Sequence, residues 1–174
     1  PLVPRLEQVI HFGASAARAD GSSSDAVDTD AMACWFDGPV GDEPSLYAMA
    51  TPGRGYKVGL DHPIRVLADD DLDRTPDPPL MAAASARIAR DLTSLDPTPL
   101  CAQTCTWTMS PDSRFIVDVL PGGIVLACGD GGEGFKFSAV MGEILADLAE
   151  GAGPDPDVAT FGLARFADGY PDHT

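Results

Sequence analysis

The order of apolar and polar positions predicts short strands interrupted by two helices. In residues 5–12 (RLEQVIHF) apolar and polar side chains alternate, as they do in a strand with one buried face. Similar runs, separated by clusters of Gly, Pro and Asp, recur at residues 31–36, 45–50, 55–60, 104–110, 114–120 and 124–129. Strands of this length and spacing predict a mainly antiparallel sheet, and the apolar composition of the last run predicts a buried strand.

Two segments show helical periodicity. The first covers residues 79–95 and is expected to stop before Pro97; its apolar positions are Leu80, Ala84, Ile88, Leu92 and Leu95. The second covers residues 135–150, with Gly151 at its end and an apolar face of Val140, Ile144, Leu145 and Leu148. Residues 14–30 predict a flexible surface loop, and residues 157–166 a last extended segment. Together these elements predict an α+β fold.

Composition and charge narrow the classes of function. The 174 residues suffice for one domain with a core, and 44% of them are hydrophobic. No apolar run approaches the roughly 20 residues that span a bilayer, and no secretion signal is recognisable, so a cytoplasmic location and no membrane contact are expected. A net charge of −16 argues against nucleic acid as a partner.

The four cysteines predict free thiols rather than a disulfide framework, because no export signal accompanies them. Cys101 and Cys105 have the spacing of half a metal site. They lack the partner pair and the histidine spacing that zinc sites use, so no metal site is predicted.

A glycine-rich loop, Gly129–Gly134, has the pattern G-x-G-x-x-G. A Rossmann fingerprint would need parallel strands after residue 150, for which there is no room, and Phe135 stands where a Walker A loop has lysine. Two interpretations remain. The glycines either make a tight strand-to-helix connection only, or they expose N–H groups of a helix N-terminus to an electron-rich ligand edge.

Four segments carry a family resemblance: SLYAMATPGRGYKVGLDH, CTWTMSPDSRFIVD, ACGDGGEGFKF and FGLARF. In order and spacing they resemble the C-terminal half of the monomeric sarcosine oxidase family, which includes N-methyltryptophan oxidase and belongs to the FAD-dependent D-amino-acid-oxidase-like superfamily. The resemblance extends from about Leu46 to Phe166. It implies a substrate-domain sheet plus a strand–loop–helix that completes an FAD-binding domain, with the Rossmann core missing from this chain.

The same resemblance implies a division of the chain. Residues 1–100 would supply the substrate-domain strands and one helix. Residues 101–166 would return to contact the flavin, and residues 167–174 would form a tail.

Cofactor-binding residues follow from the family pattern C-x-[YW]-T-x-x-P-[DE]. Cys105 takes the place of the cysteine that bonds to the flavin 8α-methyl, with Trp107 and Thr108 after it. The alternative is that Cys105 is an inert, half-buried thiol. The family's ring-edge loop corresponds to Gly132, Glu133, Gly134, Phe135 and Lys136.

Three catalytic residues are implied in the same way. Lys57 falls on the lysine that activates O₂ over the flavin, Lys136 on the lysine that holds the substrate carboxylate, and Tyr47 on an active-site tyrosine. For either lysine the alternative is a solvated surface residue. The sequence departs from the family at Asp61, where a histidine is expected; His62 stands one place later.

The implied protein is the C-terminal chain of an FAD-dependent oxidase. It would oxidise the C–N bond of an amino-acid-like secondary or cyclic amine to an imine and reduce O₂ to H₂O₂. Because the chain starts at Pro1 and shows no Rossmann fingerprint, an N-terminal FAD-binding half on a separate chain is expected as partner. The alternatives are a flavin dehydrogenase or biosynthetic oxidase on an unusual amine, and an idle fragment that serves as a binding module.

Overall fold

The computed structural model describes residues 2–15, 27–39, 41–153, 155–167 and 169. The strands are β1 (Val3–Ala14), β2 (Trp35–Asp37), β3 (Leu46–Thr51), β4 (Gly55–Leu60), β5 (Arg65–Val66), β6 (Leu95–Met109), β7 (Ile116–Leu120) and β8 (Ile124–Cys128). The helices are α1 (Pro78–Asp91), α2 (Gly134–Ala149) and the short α3 (Pro156–Ala159), with 3₁₀ turns at Thr29–Ala31 and Leu163–Phe166. These elements confirm the predicted α+β class.

The chain divides into two compact units, each described by itself. The sheet unit comprises residues 6–65 and 70–105, and the hairpin unit comprises residues 1–5, 66–69 and 106–174. The larger sheet has the order β2-β3-β4-β1-β5, and β6 also pairs with β1. The pairs β2/β3, β3/β4 and β1/β4 are antiparallel, as the pattern of the sequence predicts.

The core of the sheet unit lies between one face of the sheet and α1. Ile10, Phe12 and Val58 are at most 1% exposed and pack with Ala84 and Ile88 of the helix. These strand residues alternate with others that face the opposite side. One face of β1 therefore packs in the core, and the opposite face carries polar residues.

Helix α1 begins where the sequence places strong start signals. Pro78 occupies the first turn, and the Asp77 carboxylate accepts a hydrogen bond of 2.8 Å from the Leu80 N–H. The buried Gln8 side chain accepts from the Asp77 N–H at 2.8 Å, which fixes the helix start to β1. This contact satisfies a polar side chain that would otherwise be costly to bury.

The predicted end of this helix is wrong. The helix ends at Asp91 rather than near Leu95, because Leu95 is already the first residue of β6. Leu95 is 2% exposed and joins the same core from the strand, and Leu92 packs against that core. Apolar spacing predicted which residues face the core but did not separate a helical from an extended backbone.

The hairpin unit contains the antiparallel pair β7/β8 and α2, which packs on β8. The expectation of a buried strand at residues 124–129 is wrong, since β8 lies in a two-stranded sheet and Ile124 is 60% exposed. The expectation of an extended segment at 157–166 is also wrong. Pro156 and the Asp155 side chain, which accepts from the Asp157 N–H at 2.9 Å, start a short helix there.

Two further expectations concern residues 14–36. Within residues 31–36 only Trp35 and Phe36 are in a strand, because the preceding chain forms the 3₁₀ turn capped by Asp28. Most of the predicted surface loop, residues 16–26, lies outside the described residues. No helix in the described part of the chain combines the length and apolar composition needed to cross a bilayer.

Candidate active site

One face of the larger sheet carries polar residues in register. His11, Lys57 and Met49 lie side by side on β1, β4 and β3, and the next row contains Val9, Gly59 and Tyr47. All six point away from the core face, because side chains alternate along each strand. The face turned away from α1 is therefore the one that presents Tyr47 and Lys57.

The Tyr47 ring covers Gly59 on the neighbouring strand. A Cβ atom at Gly59 would fall well inside van der Waals distance of the Tyr47 ring, so the close approach requires glycine. Burial raises the pKa of the Tyr47 hydroxyl, and Cys105, Glu7 and Asp61 raise it further. The phenol is therefore neutral near pH 7 and can donate a hydrogen bond from a fixed position.

Lys57 is half-buried in the middle of β4, between strands β1 and β3. Among the residues that the structure describes, its ammonium group makes no hydrogen bond or ion pair. An unpaired cation in this position can stabilise a negative charge that develops close to the sheet.

Cys105 lies on β6, the strand that pairs with β1 on the side opposite to β4. Partial desolvation raises the pKa of its thiol, Glu7 raises it further, and Lys57 opposes both effects. Since these interactions require proximity, the sheet unit brings Tyr47, Lys57 and Cys105 to one region. The residue itself is exposed, which leaves the sulfur accessible.

Sequence reasoning missed two residues on this face, His11 and Glu7. His11 is 1% exposed and Glu7 is 7% exposed. Both occupy odd positions of β1, whereas the core residues Leu6, Ile10 and Phe12 occupy even ones. The signal that could have identified them is the pattern of β1, where polar residues alternate with core residues. Polar side chains that are buried on the second face of a strand are uncommon and indicate a functional or structural role.

The glycine loop belongs to the hairpin unit. Gly129, Gly131 and Gly132 have φ values of 69°, 57° and 82°, a region that favours glycine. The loop closes on β6 through a hydrogen bond of 3.0 Å from the Gly131 N–H to the Thr108 carbonyl. The Trp107 ring covers Gly132 so closely that a Cβ atom at Gly132 would overlap it.

The N-terminus of α2 is partly occupied by the protein's own carboxylate. Asp130 accepts a hydrogen bond of 3.1 Å from the Gly134 N–H. Phe135 is 94% exposed, and Phe137 meets Phe115 edge-on at 5.7 Å between ring centroids. Within the described residues, the exposed N–H groups after Gly134 are the ones left for an external acceptor.

Lys136 is solvent-exposed and paired. Its Nζ lies 3.0 Å from Glu133 Oε1, and the two side chains are 60% and 56% exposed. Its neighbours Phe135 and Phe137 do not bury it, since they are 94% and 40% exposed. Lys57 is thus half-buried and unpaired among the described residues, whereas Lys136 is exposed and paired.

Each unit, taken by itself, contains groups that suit a flavin ring. In the hairpin unit, Trp107 Nε1 is a buried donor without a hydrogen-bond partner among the described residues. In the sheet unit, Lys57 is a half-buried cation and Cys105 is an exposed thiol. Aromatic packing suits a flat heteroaromatic ring, and N–H donors suit its carbonyl edge. Among the described residues, no three His, Cys, Asp or Glu side chains lie together as metal ligands would.

Curated relatives match part of this chain. N-methyl-L-tryptophan oxidase from Citrobacter koseri is 48% identical over 64 residues, which are 36% of this chain and 17% of that protein. The enzyme of the same name from Escherichia coli O157:H7 is 46% identical over 69 residues, 38% of this chain and 18% of that protein.

Solved structures show the same fold. NikD, described as an unusual amino acid oxidase essential for nikkomycin biosynthesis, superposes with a TM-score of 0.66 at 21% identity. The fructosamine oxidase Amadoriase II from Aspergillus fumigatus superposes with a TM-score of 0.68 at 16% identity. Each superposition covers 92% of this chain and 42% or 39% of the solved chain, respectively.

The chain thus spans less than half the length of each of these relatives. The predicted resemblance to the D-amino-acid-oxidase-like superfamily is confirmed by a match to the family model described as DAO, FAD dependent oxidoreductase, over residues 2–148. This match covers most of the chain, which therefore belongs to the DAO family of FAD-dependent oxidoreductases.

Proposed function

We propose that this chain is the C-terminal part of an FAD-dependent amine oxidase of the sarcosine oxidase type. It would oxidise the C–N bond of an amino-acid-like secondary or cyclic amine to an imine while O₂ becomes H₂O₂. The observation that carries the proposal is the grouping of Tyr47, Lys57 and Cys105 in one region of the sheet unit. The names of the relatives, which are amine and amino acid oxidases, support the substrate class.

Lys57 would act as the fixed cation beside the site of oxygen reduction. No carboxylate neutralises it among the described residues, so its charge stabilises negative charge that forms on oxygen. Tyr47, held over Gly59 with a neutral hydroxyl, would donate a hydrogen bond to the substrate. Lys136 would leave Glu133 to bind the substrate carboxylate, an exchange between two charge-assisted hydrogen bonds.

Cys105 would hold the flavin covalently, and Trp107, Thr108 and the loop from Gly132 to Lys136 would contact it. When bound, FAD would supply the two-electron acceptor that the protein side chains lack. The raised pKa of the Cys105 thiol means that little thiolate exists near pH 7. Lys57, the cation that lowers this pKa, would therefore also assist attachment.

A complementary FAD-binding half, supplied as a separate chain, completes the proposal. Helix α2 supports it, because Phe135, Phe137 and Val140 are 94%, 40% and 49% exposed on a helix that buries one residue, Leu148. Apolar side chains clustered on one helix are typical of a surface that packs against another part of a protein.

The experiment is a denaturing separation of the purified holoenzyme, followed by flavin fluorescence and peptide mass spectrometry. We expect fluorescence to migrate with this chain and the flavin mass to map to the peptide of Cys105. Cys105→Ser should abolish the signal. Cys101→Ser is the matched control and should retain it, since Cys101 is an exposed cysteine on the same strand.

Substrate turnover tests the reaction itself. Addition of N-methyl amino acids and cyclic amino acids to the holoenzyme should release H₂O₂ in a 1:1 ratio to the imine or its hydrolysis product. Substrate oxidation without peroxide would identify a dehydrogenase. Absence of flavin from both the wild type and its complex would overturn the proposal in favour of a binding module.

A further inference from the structure

A buried histidine lies directly opposite Lys57. In the antiparallel β1/β4 pair, His11 and Lys57 are register partners, and both side chains stand on the face that carries Tyr47. Directly opposite side chains in such a pair have Cβ atoms about 5 Å apart. The imidazole is 1% exposed, and neither Nδ1 nor Nε2 has a hydrogen-bond partner among the described residues.

An orphaned buried imidazole is costly to the fold. A buried polar group without a partner loses about 1 to 3 kcal/mol relative to its hydrogen bonds with water. Lys57 has the complementary deficit, since its ammonium has three donors and no acceptor within the described part of the chain. If the two side chains move towards each other, a hydrogen bond from the Lys57 ammonium to the His11 ring gives both groups a partner.

The surroundings keep the His11 ring neutral. Burial lowers its pKa from 6.5, and the positive charges of Arg54 and Lys57 lower it further. The Gln103 side chain and the Arg54 backbone oppose this shift without reaching hydrogen-bonding geometry. Glu7 lies on the same side of β1 as His11, because both occupy odd positions of the strand, and Cys105 of β6 is close enough to interact with both Glu7 and Lys57. A neutral imidazole retains one lone pair as acceptor.

We propose that His11 is the positioning residue for Lys57: its neutral ring accepts a hydrogen bond from the Lys57 ammonium and fixes that cation above the sheet. This inference rests on the proposed role of Lys57 in oxygen reduction. A carboxylate at the same place would hold the lysine equally well but would cancel its charge. A neutral acceptor positions the cation and leaves the charge available for catalysis.

The proposal has a direct spectroscopic test, because this chain has only two lysines. Lysine labelled with ¹³C at Cε is incorporated into this chain of the holoenzyme, and the Lys57 resonance is assigned by its loss in Lys57→Met. Titration of the wild type should move the Lys57 resonance with an inflection below pH 6.5, as His11 protonates. In His11→Gln this inflection should disappear, and the Lys136 resonance should show it in neither protein.

Kinetics provide the second readout. His11→Leu should slow oxidation of reduced flavin by O₂ about tenfold, the loss expected for one hydrogen bond to a charged group. His11→Gln or His11→Asn, which keep a neutral acceptor, should restore most of the rate. In the Lys57→Met background His11→Leu should have no further effect, because the two residues act through one charge.

The outcomes separate this inference from the proposed function. If Lys57→Met slows oxygen reduction but His11→Leu adds the same factor in both backgrounds, His11 does not act through Lys57 and the inference is wrong. If Lys57→Met has no effect on oxygen reduction, the proposed function fails, whatever the resonances show. If His11→Leu does not fold, an unmoved Lys57 resonance in the wild-type titration would still overturn the inference.

Discussion

The two lysines of the chain stand in opposite surroundings. Lys57 is in the middle strand of a packed sheet, half-buried, and has no ion pair among the described residues. Lys136 lies in the first turn of the exposed helix α2 and is paired with Glu133 at 3.0 Å. The residues around Lys57 are fixed by register and burial within one unit, so its charge is pre-organised. Lys136 must first leave its own carboxylate, so its role depends on a substrate or surface that competes with Glu133.

The main helices of the two units also differ in how far they are buried. Helix α1 buries Ala84, Arg87 and Ile88 against the sheet, whereas the more apolar α2 buries only Leu148. Hydrophobic periodicity predicted both helices, although α1 ends at Asp91 and not near Leu95. It could not predict burial, because burial depends on what packs against the helix; among the described residues, α2 packs on β8 and contacts Phe115 through Phe137.

The largest expected effect is on the packed helix. Ile88→Ala removes a side chain that is 0% exposed and should lower the free energy of unfolding by about 3 to 4 kcal/mol, since it leaves a cavity in the core. Urea unfolding of the purified protein measures it. The matched change in the exposed helix, Val140→Ala, should cost less than about 0.5 kcal/mol when this chain is unfolded without the FAD-binding half. Equal losses of unfolding free energy in the two variants would contradict the conclusion that α1 is buried and α2 is exposed.

The second effect concerns a buried guanidinium in the sheet unit. The Arg87 side chain is 4% exposed and contacts three carboxylates, those of Asp37, Glu43 and Asp91, at 2.5, 3.1 and 3.2 Å. Arg87→Met leaves these acids to repel each other and should lower the free energy of unfolding by about 3 kcal/mol. Arg90→Met is the control one turn on: Arg90 also pairs with Glu43 but is 53% exposed. Its loss should be much smaller, because solvent screens the pair.

A smaller, pH-dependent effect is expected in the hairpin unit. Arg165 holds Asp112 in two hydrogen bonds of 2.8 and 3.0 Å and lowers the pKa of that carboxyl from 3.8 to about 2. Because the folded pKa is the lower one, this pair stabilises the fold above about pH 4, and its contribution is lost as the pH falls towards 2.

Thermal unfolding between pH 6 and pH 2 checks this expectation. Wild type should lose about 1 to 2 kcal/mol more than Asp112→Asn over this range. Parallel curves for the two proteins would show that the Arg165 contact does not stabilise the hairpin unit.

The smallest effect on folding is expected at Lys136. Lys136→Met removes an exposed ion pair in the first turn of α2, and solvent screening makes such pairs weak. The urea midpoint should stay within experimental error of wild type. A resolved loss of stability would mean that Lys136 already has a structural task in the chain, contrary to the comparison above.

Sequence reasoning located the strands of the sheet and the two main helices because alternation and helical periodicity are local signals. It failed where the same apolar spacing fits both a helical and an extended backbone. Leu92 and Leu95 continue the helical spacing of α1, although the helix ends at Asp91 and Leu95 begins β6. It also failed at residues 157–166, where Pro156 and the Asp155 cap outweighed an apolar pattern typical of strands.

For the candidate site, motif resemblance predicted residues that follow one another along the chain, such as Cys105, Trp107 and Thr108. It could not predict His11, which is brought opposite Lys57 only by strand register, although the two residues are 46 positions apart in the sequence. Nor could it predict that Glu7 raises the pKa of the Cys105 thiol, since that interaction depends on β6 returning to β1. Long-range pairing of strands carries this information.

The most direct test of the central claim compares the two lysines in rapid-mixing kinetics of the holoenzyme. Reduced flavin is mixed with O₂, and oxidised flavin with substrate, for wild type, Lys57→Met and Lys136→Met. Lys57→Met should slow reoxidation by roughly 10²- to 10³-fold, the effect of one preorganised electrostatic donor, with a smaller effect on reduction. Lys136→Met should instead weaken substrate binding and leave reoxidation unchanged. Equal slowing of both half-reactions by Lys57→Met, or normal reoxidation in that variant, would contradict the assignment of the sheet face as the site of oxygen reduction.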